Sequence, residues 1–249
     1  MWRLASGVQQ GDTHAGAGEP CQDVAWAGVV RGQGGEWLVV AMADGAGTAP
    51  RSATGARSAV DRIRCSAERD VPRGEPGEHE LRRWFAEAAG RVERAARSRA
   101  CVPEDLACTL LVAIVGPTGA WFGQVGDGAI VARGPQSAYQ AVFWPEEHDF
   151  VNETTFMTCK GWRDALRVAF RPAVGEVAVF TDGLQRLALD YATRAAHPRF
   201  FGPLFEALRE PDGAVISSEL SAFLASDAVR ARTDDDRALV LATRLHPQA

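Results

Sequence analysis

The sequence predicts an α/β layered domain with antiparallel strand pairing, in preference to a doubly wound parallel sheet. Three observations lead there. Strand-type runs gather near the start, in the middle and at the end of the chain, with helical patterns between them. Gly116-Pro117-Thr118-Gly119 separates two apolar runs and reads as a hairpin, which joins antiparallel neighbours. The 249 residues suit one domain and are short for two with a linker, so residues 1–249 are read as one domain.

Taken in order, residues 24–30 form a short apolar strand and residues 37–43 a continuous apolar run of strand length. Residues 53–68 place Ala56, Val60, Ile63 and Ala67 on one helical face. Residues 71–78 hold Pro72, Gly74, Pro76 and Gly77 and read as a surface loop. A second helix over residues 80–99 carries Leu81, Phe85, Ala88, Val92 and Ala95 at helical spacing. Strands follow at 109–115, 120–125 and 129–133, with Gly126-Asp127-Gly128 before the last of these. Residues 176–181 and 238–244 are the late strands, and helical patterns at 200–209 and 217–230 lie between them. Trp121, Phe122 and Trp144 read as core or interface aromatics, and Cys108 as a small buried residue.

Composition excludes several classes. The chain is 46% hydrophobic and 24% charged, which fits a folded soluble protein and neither a disordered chain nor a fibre. A net charge of −5 leaves no basic footprint for nucleic acid. The longest wholly apolar run is residues 37–43, whereas a membrane helix needs about 20 residues. The first residues lack the apolar core of a signal peptide. Five cysteines without a C-x-x-C pair fit a reduced cytoplasm better than a disulfide framework or a zinc site.

The chemical signal is an aspartate beside glycine at the end of an apolar run. It occurs as Ala43-Asp44-Gly45, Gly126-Asp127-Gly128 and Thr181-Asp182-Gly183. Asp23 stands just before one strand, and Asp234-Asp235-Asp236 just before another. Carboxylates at neighbouring strand ends can converge, and convergent carboxylates need a cation. Oxygen-only ligands favour Mg²⁺ or Mn²⁺ over zinc. Asp-Gly is also a common turn pair, so each site has a purely structural reading, and Gly126-Asp127-Gly128 reads equally as a hairpin turn.

These motifs, in this order, resemble the metal-dependent protein serine/threonine phosphatases of the 2C type, and more closely their bacterial branch. Gly11-Asp12-Thr13-His14 with Gly18-Glu19-Pro20-Cys21-Gln22-Asp23 is similar to the branch's first motif, and residues 40–47 to its second. Cys108-Thr109-Leu110-Leu111, Gly126-Asp127-Gly128, residues 152–156, residues 180–184 and residues 235–240 complete the set, which runs from about residue 6 to residue 245. The resemblance implies two antiparallel sheets packed face to face, flanked by helices on both outer faces, with a two-metal site between them. Asp44 would bridge the metals and the Gly45 carbonyl would bind one of them. Asp182 and Asp235 would complete the shell of the second, Asp23 would hold the site together through water, and Asp127 would help hold a third, weaker ion. Two such ions, Mn²⁺ or Mg²⁺, would activate a shared water to attack phosphorus. The implied substrate is a phosphorylated protein, with a serine/threonine kinase as natural counterpart.

No protein nucleophile is needed for that chemistry, and the sequence has no Gly-x-Ser-x-Gly elbow, Cys-x5-Arg loop or Gly-x4-Gly-Lys loop. Three positions depart from the family pattern. Ala46 stands where a histidine often follows Asp-Gly, Gly18 where an arginine often holds the substrate phosphate, and Gln22 where an acid often precedes the first-motif aspartate. His14 is the candidate for phosphate binding or leaving-group protonation; its alternative is a solvated loop histidine. Residues 152–156 read either as a loop that plants Phe156 in the core or as a flap beside the substrate channel. Arg51 reads as a solvated helix-start residue. A catalytically weak or silent domain that binds a phosphoprotein or regulatory partner, and a phosphatase of small metabolites, are the competing functions.

Overall fold

The computed structural model describes residues 1–145, 154–210 and 216–245. The chain opens with strand β1 (Trp2–Gln9), the short helix α1 (Asp12–Ala17), and strands β2 (Val24–Gly32) and β3 (Gly35–Ala43). Two long helices follow, α2 (Ser52–Asp70) and α3 (Glu78–Ser98). Strands β4 (Leu110–Val115), β5 (Gly119–Val125), β6 (Ala129–Arg133) and β7 (Gln140–Ala141) lead to α4 (Trp162–Ala165), β8 (Arg167–Pro172) and β9 (Glu176–Phe180). After α5 (Gln185–Ala188) come β10 (Leu189–Asp190), β11 (Ala195–Ala196), α6 (Pro198–Arg209), α7 (Ile216–Leu224), α8 (Asp227–Arg230) and β12 (Arg237–Arg244).

Two five-stranded sheets form, in the orders β1-β12-β9-β6-β7 and β2-β3-β4-β5-β8. Every pairing within them is antiparallel. Alternation along a strand sends successive side chains to opposite faces. In β3, Leu38, Val40 and Met42 meet Val177, Val179, Ala238 and Val240 of the other sheet. The intervening Val39, Ala41 and Ala43 pack under α2 and α3 against Val60, Ile63, Trp84 and Phe85. In β12, Leu239 and Leu241 turn outward to Phe201, Phe205, Leu220 and Leu224 of α6 and α7. Burial on both faces is why residues 37–43 are continuously apolar. The result is a helix–sheet–sheet–helix sandwich, the architecture the sequence and its resemblance predict.

The predicted hairpin stands: Val115 faces Ala120, and the Gly116 N–H donates to the Gly119 carbonyl at 2.8 Å. Gly126-Asp127-Gly128 is not a hairpin turn. It carries the chain from β5 in one sheet to β6 in the other. The single helix expected over 217–230 is two helices, broken where Ser226 adopts an extended ψ of 152°. Two strands that the sequence left unassigned, β1 and β8, lie at sheet edges, where fewer faces are buried and the apolar pattern thins. Phe156 is only half-buried; its neighbour Met157 enters the core beneath α2 and α3. Asn152 and Glu153 lie outside the described residues. Phe122 is fully buried between the sheets, and Trp121 lies against Phe170 with ring centroids 5.0 Å apart.

Candidate metal centre

Strand ends converge at one end of the sandwich. Asp44 follows β3, Asp127 lies on the crossing from β5 to β6, and Asp182 follows β9. One carboxylate oxygen from each lies within 4.8 Å of the others. Each is held by its local backbone. The Asp44 N–H donates to Thr109 Oγ1 at 2.9 Å, and the Thr109 N–H returns to the Asp44 carbonyl at 2.8 Å. A Cβ on Gly45 would stand 2.7 Å from Ser52 Cβ, so only glycine lets α2 approach this loop. Thr154 Oγ1 donates to Asp127 Oδ2 at 2.6 Å, and the Gln185 amide donates to the Asp127 carbonyl. Gly126 sustains the crossing with a φ of 101°.

Asp23 enters from the start of β2 and is 4% exposed. Its Oδ2 accepts from Thr181 Oγ1 at 2.7 Å, while Oδ1 has no partner. The same Thr181 oxygen accepts from the Ala238 N–H at 3.0 Å, which ties β2, β9 and β12 together. Asp235 is exposed and outside the three-carboxylate cluster, but its charge reaches Asp23, Asp44 and Asp182.

These acids strain one another. Desolvation first, then the charges of Asp127 and Asp235, push the Asp182 carboxyl up to about 6. Desolvation, then Asp23, Asp182, Asp127 and Asp235, hold Asp44 well above the usual carboxylate range. Desolvation likewise lifts Asp23, aided by Asp236, Asp182 and Asp235. Clustered carboxylates with raised proton affinity, an orphaned buried oxygen and an all-oxygen donor set match what a hard divalent cation needs. The residues present therefore fit Mg²⁺ or Mn²⁺.

His14 is not a solvated loop residue. It sits in α1 with its side chain 12% exposed, and Nδ1 lies 3.0 Å from Asp236 Oδ2. A Cβ on Gly47 would lie 3.8 Å from His14 Nε2, which puts the ring beside the loop after Asp44. The Gln22 amide satisfies its surroundings when its NH₂ donates to the Gly45 carbonyl (2.8 Å) and Ser52 Oγ (2.6 Å), and its oxygen then faces His14 Nε2 (3.3 Å). Gly18, where an arginine was expected, ends α1 in the left-handed conformation at φ 71°, which an arginine side chain would strain. Arg51 is exposed at the start of α2, as expected.

The sequence alone gives no supporting role to Thr154, Gln185, Thr181, Gln22 or Asp236, which the structure places behind the carboxylates. For Gln22 and Asp236 the signal was adjacency to Asp23 and Asp235, but burial decides which neighbour faces inward.

The protein phosphatase 2C family model matches residues 10–225. The chain is 34% identical over 263 aligned positions to serine/threonine-protein phosphatase 3 of Escherichia coli strain K12, spanning 97% of this chain and 98% of that one. Among solved structures it resembles the serine/threonine phosphatase Stp1 from Staphylococcus aureus, with TM-score 0.68 and 13% identity over 99% of this chain and 96% of that one. It also resembles the catalytic domain of the serine threonine protein phosphatase PstP, solved with two manganese ions. There the TM-score is 0.62 and the identity 16%, with 97% of each chain covered.

Proposed function

This chain belongs to the protein phosphatase 2C family, and from that premise we propose that it hydrolyses phosphoserine and phosphothreonine in proteins at the cluster of Asp44, Asp127 and Asp182. The observation that carries the reading is the meeting of three carboxylates, from three separate strand ends, within 4.8 Å. Asp44 would be shared by two ions, with the Gly45 carbonyl on one and Asp182 and Asp235 on the other. Asp127 would serve a third, weaker ion, and Asp23 would steady the site through water. When bound, Mn²⁺ or Mg²⁺ supplies a water of lowered pKa and neutralises phosphoryl charge. The two manganese ions in the PstP structure support this choice of cation.

The chain's own residues do the rest. Thr109, Thr154 and Thr181 fix the orientation of Asp44, Asp127 and Asp23. The Asp44 loop presents a glycine so that a backbone carbonyl can serve as a ligand. His14, with Nδ1 at ion-pair distance (3.0 Å) from Asp236, turns Nε2 toward Gln22 and the Gly45–Gly47 loop, where it would hold the substrate phosphate or give a proton to the departing serine oxygen. The natural counterpart is a serine/threonine kinase acting on the same proteins. Five free cysteines support a reducing, cytoplasmic setting, and among the described residues no helix is long and apolar enough to cross a membrane.

A silent, purely binding role is not favoured, because three carboxylates from separate strand ends converge within 4.8 Å. The test is phosphate release from p-nitrophenyl phosphate and from phosphoserine peptides, with Mn²⁺ and with chelator. Turnover on both, abolished by chelator and restored by excess Mn²⁺, is expected. No turnover on either at saturating Mn²⁺ would contradict the reading, and turnover confined to small phosphate esters would move the substrate to metabolites.

A further inference from the structure

We propose that Asp236 is a positioning residue for the hydrolysis, acting through His14 and Gln22 to fix the rim of the metal centre from behind; the proposal rests on the phosphatase reading above. Asp236 is 2% exposed, and both its oxygens are engaged. Oδ1 accepts from the Gly11 N–H at 2.7 Å and Oδ2 from the Gln22 N–H at 2.6 Å. Oδ2 also lies 3.0 Å from His14 Nδ1. All three partners belong to one stretch, residues 11–22, whose helix α1 has no buried residue. Apolar burial contributes little to holding such a stretch. Polar contacts to the start of β12 do so instead: Asp236, the Asp234 carbonyl that accepts from the Thr13 N–H at 3.0 Å, and Arg237 Nη2, which donates to the Gln10 carbonyl at 2.6 Å.

The contacts continue to the metal centre. The Gln22 carbonyl accepts from the Gly45 N–H at 3.2 Å, and with its amide in the orientation that satisfies its surroundings Gln22 donates to the Gly45 carbonyl at 2.8 Å. Gln22 thus grips both backbone groups of the residue after Asp44, and Asp236 grips Gln22. The same carboxylate stands 3.0 Å from Nδ1 of His14, which has no other partner, so a small turn of the ring makes the hydrogen bond and leaves Nε2 facing Gln22 and the Gly45–Gly47 loop. The aspartate triplet divides its tasks. Exposed Asp235 adds its charge to Asp44 and Asp182, while buried Asp236 binds residues 11–22 with charge-assisted hydrogen bonds.

Asp236→Asn preserves shape but cannot accept from both N–H groups and also face the His14 N–H. It should fold and slow turnover of a phosphoserine peptide by about a hundredfold, the scale of a small misplacement of catalytic groups. His14→Ala should cost a similar factor, and the double variant little more than the worse single change, because both act through one imidazole. The ¹⁵N spectrum of the His14 ring, recorded without metal, should show a hydrogen-bonded Nδ1–H in the wild type and an altered ring in Asp236→Asn. Effects that multiply in the double variant, or ring signals and turnover unchanged in Asp236→Asn, would overturn the proposal. Should Asp236→Asn fail to fold, the wild-type spectrum decides: a hydrogen-bonded Nδ1–H upholds it, and an Nδ1 without a proton overturns it. A wild type inactive with Mn²⁺ would defeat the phosphatase reading itself, while the ring spectrum would still report whether Asp236 holds His14.

Discussion

A buried carboxyl beside other carboxylates holds its proton to higher pH, and a cation bound among them would release it. Asp182 is such a group, and Asp44 and Asp23 are lifted with it. The other residue whose placement bears on the chemistry is His14, because Ala46 offers no proton where the family often has a histidine. General acid assistance typically contributes about 10²–10⁴-fold and matters most for a poor leaving group. His14→Ala should therefore slow a phosphoserine peptide far more than p-nitrophenyl phosphate, whose phenolate departs without a proton. Equal losses on both, mainly in KM, would make His14 a phosphate holder; no loss on either would remove it from the site. Asp44, Asp127 and Asp182 were legible in the sequence because each pairs an apolar run with an Asp-Gly step. Asp236 was not, since three consecutive aspartates look alike until the fold buries one of them.

At the scale of elements, the inner strands and long helices were legible because each carries an unbroken apolar face. The 37–43 run reads as a strand on length and content, and its burial on both sides explains why alternation is absent. Edge strands β1 and β8 escaped for the opposite reason: Ser6 and Gly7 in one, and two arginines in the other, dilute the pattern. The helix pair over sheet β2-β3-β4-β5-β8 depends on close approach at Gly55, where a Cβ would stand 2.0 Å from the Leu106 carbonyl oxygen. Gly55→Ala improves helix propensity by about 1 kcal/mol, but the clash forces α2 away from residues 103–106. Overpacking of this kind costs about 1–3 kcal/mol, so the net change should lower the melting temperature. Thermal denaturation of the variant beside the wild type checks this; a higher melting temperature would show that the backbone yields freely there.

Across the whole molecule, two sheets bring together strand ends that are distant in sequence, and the cost is a concentration of negative charge at one end of the sandwich. That cost has a pH signature in the metal-free protein. Asp182 titrates at about 6 when folded, above the value of about 3.9 expected when unfolded. The folded state therefore binds more protons in this window, and the contribution of Asp182 to stability is complete below about pH 4 and is lost as pH rises through about 6. In chelator, wild type and Asp182→Asn should melt at similar temperatures near pH 4, and the variant should melt progressively higher as pH passes 6. Parallel melting curves across that range would mean the carboxylates are not strained. The sequence could not supply this coupling, because it depends on which strand ends the topology places side by side.

Calorimetric titration of Mn²⁺ into the wild type and Asp44→Asn, with phosphopeptide turnover followed in the same samples, tests the central claim most directly: that the carboxylate cluster holds the cations on which hydrolysis depends. The wild type should bind Mn²⁺ and gain turnover as the sites fill, while folded Asp44→Asn should lose tight binding and nearly all activity together. An Asp44→Asn protein that binds Mn²⁺ and hydrolyses phosphopeptide as the wild type does would contradict the account.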